Sequence, residues 1–192
     1  MEHTPALETS RLILRAFTPR DAGALLSILG DREVNTFLPM FPLKSVEEAG
    51  DYLRTHASDG LRYAICLKPE DTPIGYINVS GGESRDLGYG LHRAYWRRGI
   101  AAEAGRAVVE ALRRAGVPYV TATHDVNNPA SGAVMRKLGM TYRYSYVEQW
   151  QPKDFPVTFR MYQLNLDGRE DRVYRAYWEA YPDHFVEDLR EA

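Results

Sequence analysis

Residues 96–104 read WRRGIAAEA, and this stretch decides the fold class of the 192-residue chain. It joins a basic, glycine-containing turn to a strong helix former, and an apolar helical period continues to about Ala115. The preceding residues 87–91, LGYGL, are typical of a strand. A strand, a tight turn and a helix in this order leave the first N–H groups of the helix unpaired, and such groups suit a phosphate. The pattern therefore predicts a site for a diphosphate.

Length and composition favour a single globular domain. The chain is 44% hydrophobic, which at this length is enough to bury one substantial core. We therefore expect one domain over residues 1–192, with residues 167–192 as a C-terminal helical extension. The formal net charge of −2 gives no reason to expect nucleic acid as a partner. No apolar run is as long as a membrane span and the N-terminus lacks the layout of a signal peptide, so we expect a cytoplasmic protein without a membrane partner.

The cysteine and histidine content gives no indication of a metal site. The single cysteine, Cys66, lies in the strand-like residues 63–67, YAICL, which predicts a buried packing thiol and excludes an internal disulfide. The five histidines lack the spacing of metal ligands, so no metal is expected.

Capping residues and apolar periods divide the rest of the chain into helices and strands. Residues 18–21, TPRD, and 45–48, SVEE, are capping boxes that predict helix starts, and a short helix is predicted over residues 128–138. Strands are predicted near residues 12–14, 61–68, 74–80, 86–92, 119–124, 140–150 and 157–166. Runs of neighbouring strands among helices predict an α/β (α+β) fold with a mixed, mostly antiparallel sheet flanked by helices.

Two further segments follow the turn in order: residues 128–131, NPAS, and residues 135–140, MRKLGM. Together the three segments resemble the GCN5-related N-acetyltransferase (GNAT) superfamily, whose acetyl-coenzyme A (acetyl-CoA) loop has the pattern Gln/Arg-x-x-Gly-x-Gly/Ala. Residues 96–101 keep Gly99 and the small last residue of that pattern but begin with tryptophan. This departure and the opening residues 7–15, LETSRLILR, resemble the ribosomal-protein N-terminal acetyltransferase branch (RimJ/RimL-like).

The resemblance covers roughly residues 7–166 and implies the GNAT fold, in which the sheet splays apart at the cofactor site. It implies acetyl-CoA as co-substrate, with the pantetheine arm between the splayed strands and the pyrophosphate on the turn. Gly99 would let the backbone approach the phosphates, while Arg97 and Arg98 add charge without a fixed geometry. The residues that the resemblance assigns to the cofactor are Leu91, His92, Arg93, Arg97, Arg98, Gly99, Ile100, Ala101, Ala102, Asn128 and Ser131. For Asn128 and Ser131, local helix capping is the alternative.

The usual general acid is missing from its usual place. Many GNAT enzymes use a tyrosine seven residues after the motif asparagine, and that position is Met135 here. The resemblance makes Ser131 the nearest replacement, acting with Asn128 at the thioester end and hydrogen-bonding the leaving thiolate. Tyr142 is the alternative.

Asp86 is the first candidate for the general base, because it stands where the resembled branch often carries a glutamate. This shorter carboxylate would act through a water molecule, and its alternative is a solvated turn residue. His92 is the second candidate, since the ordinary pKa of histidine lies close to neutrality. For His124, at the end of a predicted strand, a structural hydrogen bond is the expected role.

The resemblance implies an acetyl-CoA-dependent N-acetyltransferase, and the chemistry of the amine favours one acceptor class. Near pH 7.4 an α-amino group costs about 1 kcal/mol to deprotonate and a lysine side chain about 4 kcal/mol. A weakly placed base therefore suffices for a protein or peptide N-terminus or a similar small amine. The alternatives are an antibiotic- or polyamine-modifying enzyme and a non-catalytic module that senses acetyl-CoA. An acidic acceptor cleft would favour the antibiotic- or polyamine-modifying enzyme. The carboxylates that could form such a cleft are Glu33, Glu47, Glu48 and Asp51.

Two aromatic groups lie outside these motifs. One comprises Tyr142, Tyr144, Tyr146, Trp150 and Phe155, where alternation puts three tyrosines on one sheet face. They would either line an amine pocket or pack with their hydroxyls at its rim. The other comprises Tyr174, Tyr177, Trp178, Tyr181 and Phe185 at helical spacing. It predicts a C-terminal helix docked on the body, with a homodimer contact or a wall of the acceptor pocket as alternatives.

Overall fold

The structure is a computed structural model that describes residues 5–57 and 59–189, and these residues form nine strands and six α-helices. The strands are β1 (Leu7–Glu8), β2 (Leu12–Arg15), β3 (Leu61–Leu67), β4 (Pro73–Val79), β5 (Leu87–Leu91), β6 (Tyr119–Asp125), β7 (Thr141–Trp150), β8 (Phe155–Asn165) and β9 (His184–Phe185). The helices are α1 (Ala22–Leu29), α2 (Arg32–Asn35), α3 (Val46–Thr55), α4 (Ile100–Arg114), α5 (Pro129–Lys137) and α6 (Ala176–Ala180). The strands form two antiparallel sheets, in the orders β1-β2-β3-β4-β5 and β6-β8-β7-β9. The predicted α/β class with antiparallel sheets flanked by helices is confirmed.

Helix starts lie where the capping residues predict them. The Asp21 carboxylate accepts the Thr18 N–H at 2.7 Å ahead of α1, and the Ser45 hydroxyl accepts the Glu48 N–H at 3.1 Å at the start of α3. These bonds satisfy backbone donors that the helices themselves leave unpaired. Of the described helices, none is long and apolar enough to cross a membrane.

Helix α4 covers one face of the first sheet. Its residues Ile100 and Val108 are buried and share one apolar core with Leu14 of β2 and Ile77 of β4. Cys66 is also fully buried, as its strand pattern predicts.

Helices α1 and α3 cover part of the opposite face of that sheet. Leu25 and Ile28 of α1 pack with Tyr76 of β4 in a second apolar cluster. Further along the same strand, the side chain of Asn78 is only half-buried. This end of the face therefore stays open beyond the helices.

The C-terminal extension is less helical than its aromatic spacing predicts. Among described residues 167–189, the α-helix is limited to the five residues of α6, and β9 pairs with β7. The aromatic rings nevertheless dock on the second sheet, where Tyr146 stacks against Tyr177 and Tyr181 with centroid separations of 5.2 and 4.8 Å. Ring stacking on β7 requires no continuous helix, so irregular backbone carries several of the aromatic residues.

The two sheets touch where β5 and β6 begin. An isolated parallel bridge pairs Asp86 with Thr121, and the Thr121 N–H donates to the Arg85 carbonyl at 3.4 Å. Toward Leu91 and Asp125 at the other ends of these strands, no ladder joins them in the described parts of the chain. The strands therefore enclose an opening between the sheets, as the splayed sheet of the predicted fold requires.

Candidate active site

The turn before α4 has the backbone expected of a phosphate site. Gly99 has a φ of +73° and Arg97 a φ of +61°, a left-handed conformation that costs a non-glycine residue about 1–2 kcal/mol. A Cβ built on Gly99 would lie 3.8 Å from Arg11 Nη2. Apart from the residues next to Gly99 in sequence, no atom would lie closer. Glycine is therefore required here by its φ, and the outside of the turn stays open. Because the N-terminal dipole of 15-residue α4 follows at once, the turn fits the pyrophosphate of acetyl-CoA.

Arg11 supports this turn from the first sheet. Its Nη1 donates to the Arg98 carbonyl at 3.2 Å, and its Nε donates to the Glu103 carboxylate at 2.7 Å. The Thr9 hydroxyl donates to the same carboxylate at 2.5 Å. Burial raises the pKa of Glu103, but the hydrogen bonds from Thr9 and Arg11 outweigh it and leave the pKa lowered. Sequence reasoning did not assign Arg11 a role, although it lies within the opening segment that carries part of the resemblance.

The strand end predicted to meet the pantetheine arm takes part in local contacts. The Trp96 indole N–H donates to the Leu91 carbonyl at 2.9 Å, which gives the unusual first residue of the turn motif an anchoring role. The Arg93 guanidinium forms ion pairs with Asp31 at 3.2 Å and Glu33 at 3.1 Å. For Leu91 and Arg93, contact with the cofactor therefore stays a prediction. It concerns the backbone groups that these local contacts leave unused.

His92 caps a short turn of 3-10 helix. Its Nδ1 accepts the Ala94 N–H at 3.2 Å, and its own backbone N–H donates to the Ile74 carbonyl at 2.8 Å. Because the ring nitrogen is engaged in this cap, the geometry gives His92 less support as the general base than Asp86.

The first turn of α5 brings Asn128 and Ser131 together. The Asn128 side-chain oxygen accepts the Ser131 N–H at 3.3 Å, so the asparagine does cap the helix. The Ser131 hydroxyl lies 2.9 Å from the Tyr89 hydroxyl, which also donates to the Ser131 carbonyl at 2.8 Å. Tyr89 thus spans the opening between β5 and α5 and meets the predicted catalytic serine.

Tyr89 is a site residue that sequence reasoning missed. The signal was the alternation of residues 87–91, which puts Tyr89 on the same strand face as the buried Leu87 and Leu91 and hence toward α4 and α5. Met135, at the usual position of the acid, is buried in the core.

Tyr142, the alternative acid, is engaged elsewhere. Its hydroxyl lies 3.0 Å from the Ser145 hydroxyl and accepts the Glu187 N–H at 2.9 Å. These contacts tie Tyr142 to the C-terminal segment, and the structure does not bring it to Ser131.

Asp86 lies where the two sheets meet. Its carboxylate accepts a hydrogen bond from the Thr121 hydroxyl at 3.2 Å, and its N–H donates to the Ser80 hydroxyl at 2.8 Å. Burial raises the pKa of Asp86 to about 6, and the bond from Thr121 offsets only part of this effect. A carboxylate with a pKa near neutrality is suited to proton transfer, so Asp86 stays the first candidate for the general base.

The charge of this carboxylate acts on several phenol side chains. Burial, with a further contribution from the negative charge of Asp86, raises the pKa of each of four tyrosines: Tyr89, Tyr146, Tyr174 and Tyr177. Their hydroxyls therefore stay protonated at neutral pH. Two of the four come from the C-terminal extension.

His124 has the structural role expected of it. The ring is buried, and its Nδ1 donates to the Asp125 carbonyl at 2.8 Å. Burial lowers the pKa of His124, which keeps the ring neutral. A Cβ on Gly132 of α5 would lie 2.6 Å from His124 Nε2, so the glycine allows α5 to pack against this ring.

The splayed sheets, the turn before α4 and the buried carboxylate together define an acyltransferase of the GNAT type. Residues 11–141 match the family model of the acetyltransferase (GNAT) domain, and the chain belongs to this family. It is an acetyl-CoA-dependent N-acetyltransferase.

Known relatives agree with this assignment. The chain is 29% identical over 145 residues to the uncharacterized N-acetyltransferase YoaA of Bacillus subtilis (strain 168), covering 70% of this chain and 82% of the relative. A GNAT-family acetyltransferase from Bacillus anthracis has a similar structure, with a TM-score of 0.76, 18% identity and coverage of 85% and 99% of the two chains. The ribosomal L7/L12 α-N-protein acetyltransferase RimL in complex with coenzyme A has a TM-score of 0.73, 21% identity and coverage of 85% and 99%. At these identities the two structures show the shared GNAT fold.

Proposed function

We propose that the enzyme acetylates the α-amino group of a protein or peptide N-terminus, with Asp86 as the general base. The observation that carries the proposal is the position of Asp86 at the junction of the sheets, with a pKa of about 6. A base of this strength can accept a proton from an amine of pKa about 8 at modest cost, whereas a lysine amine of pKa about 10.4 costs about 3 kcal/mol more. A protein acceptor also fits the cytoplasmic location that the sequence predicts.

The chain supplies binding, orientation and proton transfer. Acetyl-CoA, when bound, supplies a thioester whose acetyl group passes to the amine. The amine nitrogen forms the new bond to the acetyl carbon, the carbon–sulfur bond breaks, and the amine proton passes to Asp86, directly or through a water molecule. The Ser131 hydroxyl, oriented by Tyr89, donates a hydrogen bond to the leaving sulfur. The backbone of residues 97–102 holds the pyrophosphate, and Asn128 orders the first turn of α5.

One relative by structure supports the acceptor class. RimL is described as an α-N-protein acetyltransferase of ribosomal L7/L12, and its fold matches this chain over nearly its whole length. Fold similarity alone does not transfer a substrate, so the support rests on the match between the weak base and the α-amine.

Three of the four carboxylates predicted for an acidic cleft, which would favour a polyamine acceptor, have local partners. Glu33 pairs with Arg93, and Glu48 accepts the Lys44 N–H at 2.8 Å. Asp51 pairs with Arg54 of the same helix. These groups have local partners at the surface, so the α-amine remains the better supported acceptor.

A peptide panel tests the proposal. Each peptide carries one lysine and is supplied in three forms, with the N-terminus blocked, with the lysine blocked, or with both free; spermidine serves as a polyamine. Release of coenzyme A is measured with a thiol reagent, and the acetylated position is located by mass spectrometry. We expect turnover only where the N-terminus is free. Turnover confined to lysine side chains or spermidine would refute the α-amine acceptor.

A further inference from the structure

Three strands of the first sheet present polar side chains on the face that carries Asp86. In the strand pairing, Arg62 of β3 lies opposite Asn78 of β4, while the backbone N–H of Ser80 donates to the Asp86 carbonyl at 3.0 Å. Because side chains alternate along a strand, these four residues point to one face, and Leu87 points to the core beneath α4. The polar strip therefore continues from the candidate base toward β3.

This strip borders a surface groove of about 540 Å³, lined by Arg62, Asn78, Ser80 and, at its exposed rim, Asp59. The groove borders the residue that carries the proposed base, since its lining residue Ser80 accepts the Asp86 N–H at 2.8 Å and donates its own N–H to the Asp86 carbonyl. An acceptor whose amine reaches Asp86 can thus extend into this groove.

Arg62 is held in position without a carboxylate partner. Its Nη1 donates to the Tyr52 hydroxyl at 3.3 Å, and its guanidinium carbon lies 5.3 Å from the centre of the Tyr52 ring. Within the part of the chain that the structure describes, no carboxylate lies at ion-pair distance from Arg62, and its buried Nε has no hydrogen-bond partner. A half-buried guanidinium with unused donors favours an anionic ligand, above all a carboxylate, which matches its planar donor geometry.

We infer that this groove recognises an acidic side chain of the acceptor, at the third or fourth position of the acetylated N-terminus. The inference rests on the proposed function. Strands β3 and β5 are two strand spacings apart, about 10 Å, and an extended peptide advances about 3.4 Å per residue. About three such steps separate Asp86 from Arg62, so an amine at Asp86 places the third or fourth residue over Arg62, where its carboxylate meets the guanidinium beside the Asn78 amide.

The test compares peptides that differ only in charge. The N-terminal sequence Ser-Ala-Ala-Ala is supplied with Glu, Gln or Lys at the third or fourth position, and the kcat/KM of each peptide is measured at fixed acetyl-CoA. We expect the better placed Glu peptide to exceed its Gln counterpart by about tenfold or more, as for a hydrogen bond to a charged group, and the gain to lie mainly in KM. Arg62→Gln should bring this ratio close to one. Arg54→Gln is the matched control, because Arg54 is an exposed arginine of α3 outside the groove, and it should keep the ratio.

The outcomes separate the two proposals. If free N-termini are acetylated but the wild-type enzyme shows no preference for Glu over Gln at either position, the groove assignment is overturned and the α-amine proposal stands. If no N-terminus is acetylated, both fall. If Arg62→Gln impairs folding, Arg62→Lys and the salt dependence of the wild-type ratio decide, since a preference insensitive to salt contradicts an ionic contact at this accessible groove.

Discussion

The Asp86 carboxylate loses part of its hydration because β5 and β6 meet beside it. The phenols on which its charge acts, among them Tyr146 and Tyr177, supply neutral dipoles in place of a cation. Among the described residues, no arginine or lysine contributes to the shift of its pKa, so burial dominates and the pKa rises. The fold thus destabilises the charged form of Asp86 at the position where the proposed reaction needs a base.

Activity should follow the ionisation of Asp86. Only the deprotonated carboxylate accepts a proton, so kcat/KM should fall as the pH drops through about 6 and rise further toward pH 8 as the α-amine loses its proton. Asp86→Asn should lower kcat by about 10²–10⁴-fold and remove the steeper fall of kcat/KM below about pH 6, leaving only the fall caused by protonation of the α-amine. Glu83→Gln, an exposed carboxylate in the same turn, is the control. If the steeper fall below about pH 6 persists in the residual Asp86→Asn activity, the base is another group.

The same substitution should raise stability. The folded-state pKa lies above the unfolded value, so the contribution of Asp86 to stability is fully present below about pH 4 and is lost as the pH rises through about 6. Asp86→Asn removes the buried charge and should stabilise the fold at pH 7.5 by about 1–3 kcal/mol. Thermal unfolding at pH 7.5 measures this, and destabilisation would show that the carboxylate has an unrecognised partner.

Residues with a strong local signal were predictable, and residues that act across the fold were not. Gly99 indicates a left-handed turn before a helix, and Asn128 indicates a cap, because both effects are local in sequence. Tyr89 gave no such signal, since a tyrosine in an alternating strand is typical of core packing. Its role depends on Ser131, 42 residues further along the chain.

At the level of elements, the contact between β5 and α5 links the two sides of the opening. The Tyr89 hydroxyl lies 2.8 Å from the Ser131 carbonyl and 2.9 Å from the Ser131 hydroxyl, and when its proton is shared between these two oxygens the serine proton stays available for the leaving sulfur. Burial raises the pKa of Tyr89, which keeps it protonated. Tyr89 therefore acts through the serine as a positioning residue.

Removing either partner should affect turnover more than cofactor binding. Ser131→Ala should lower kcat by about 10–100-fold, because a bond to the developing thiolate is made in the transition state, with the acetyl-CoA Kd changed by less than about threefold. Tyr89→Phe should cost less, about 3–10-fold, and should add little to Ser131→Ala because the two groups act as a unit. Tyr142→Phe is the comparison. A larger loss of kcat in Tyr142→Phe than in Ser131→Ala would transfer the acid role to Tyr142.

The helices and strands of the GNAT core were predicted better than the C-terminal extension. Caps such as Ser45 and apolar alternation specify local structure, and those elements lie close to their predicted bounds. In the extension, aromatic spacing predicted a long helix, but stacking of Tyr177 and Tyr181 on Tyr146 requires only that the rings reach β7. Tertiary packing overrode the local period there.

In the whole molecule, the two sheets are joined by a single isolated bridge in the described residues and separate toward the ends of β5 and β6. The proposed cofactor site uses both sides of this opening, with the turn of α4 on one side and α5 on the other. A ligand that binds only the folded chain and contacts both sides stabilises their arrangement. Acetyl-CoA at about 100 times its Kd should therefore add about 2.7 kcal/mol to stability, or roughly 5–10 °C in Tm.

Two glycines that flank α4 make this prediction specific to the turn. Gly99 precedes the helix and Gly116 follows it, and both have a φ of +73°. A Cβ added to either glycine would have no atom within 3.4 Å apart from those of residues adjacent in sequence. A valine at either position therefore carries similar strain, about 1–2 kcal/mol, and should lower Tm by a similar amount. Only Gly99→Val should also abolish the rise in Tm with acetyl-CoA, because only Gly99 lies where the backbone must approach the pyrophosphate. Calorimetric titration of both variants measures the affinities directly. If Gly99→Val bound acetyl-CoA as tightly as Gly116→Val, the pyrophosphate would have to lie away from this turn.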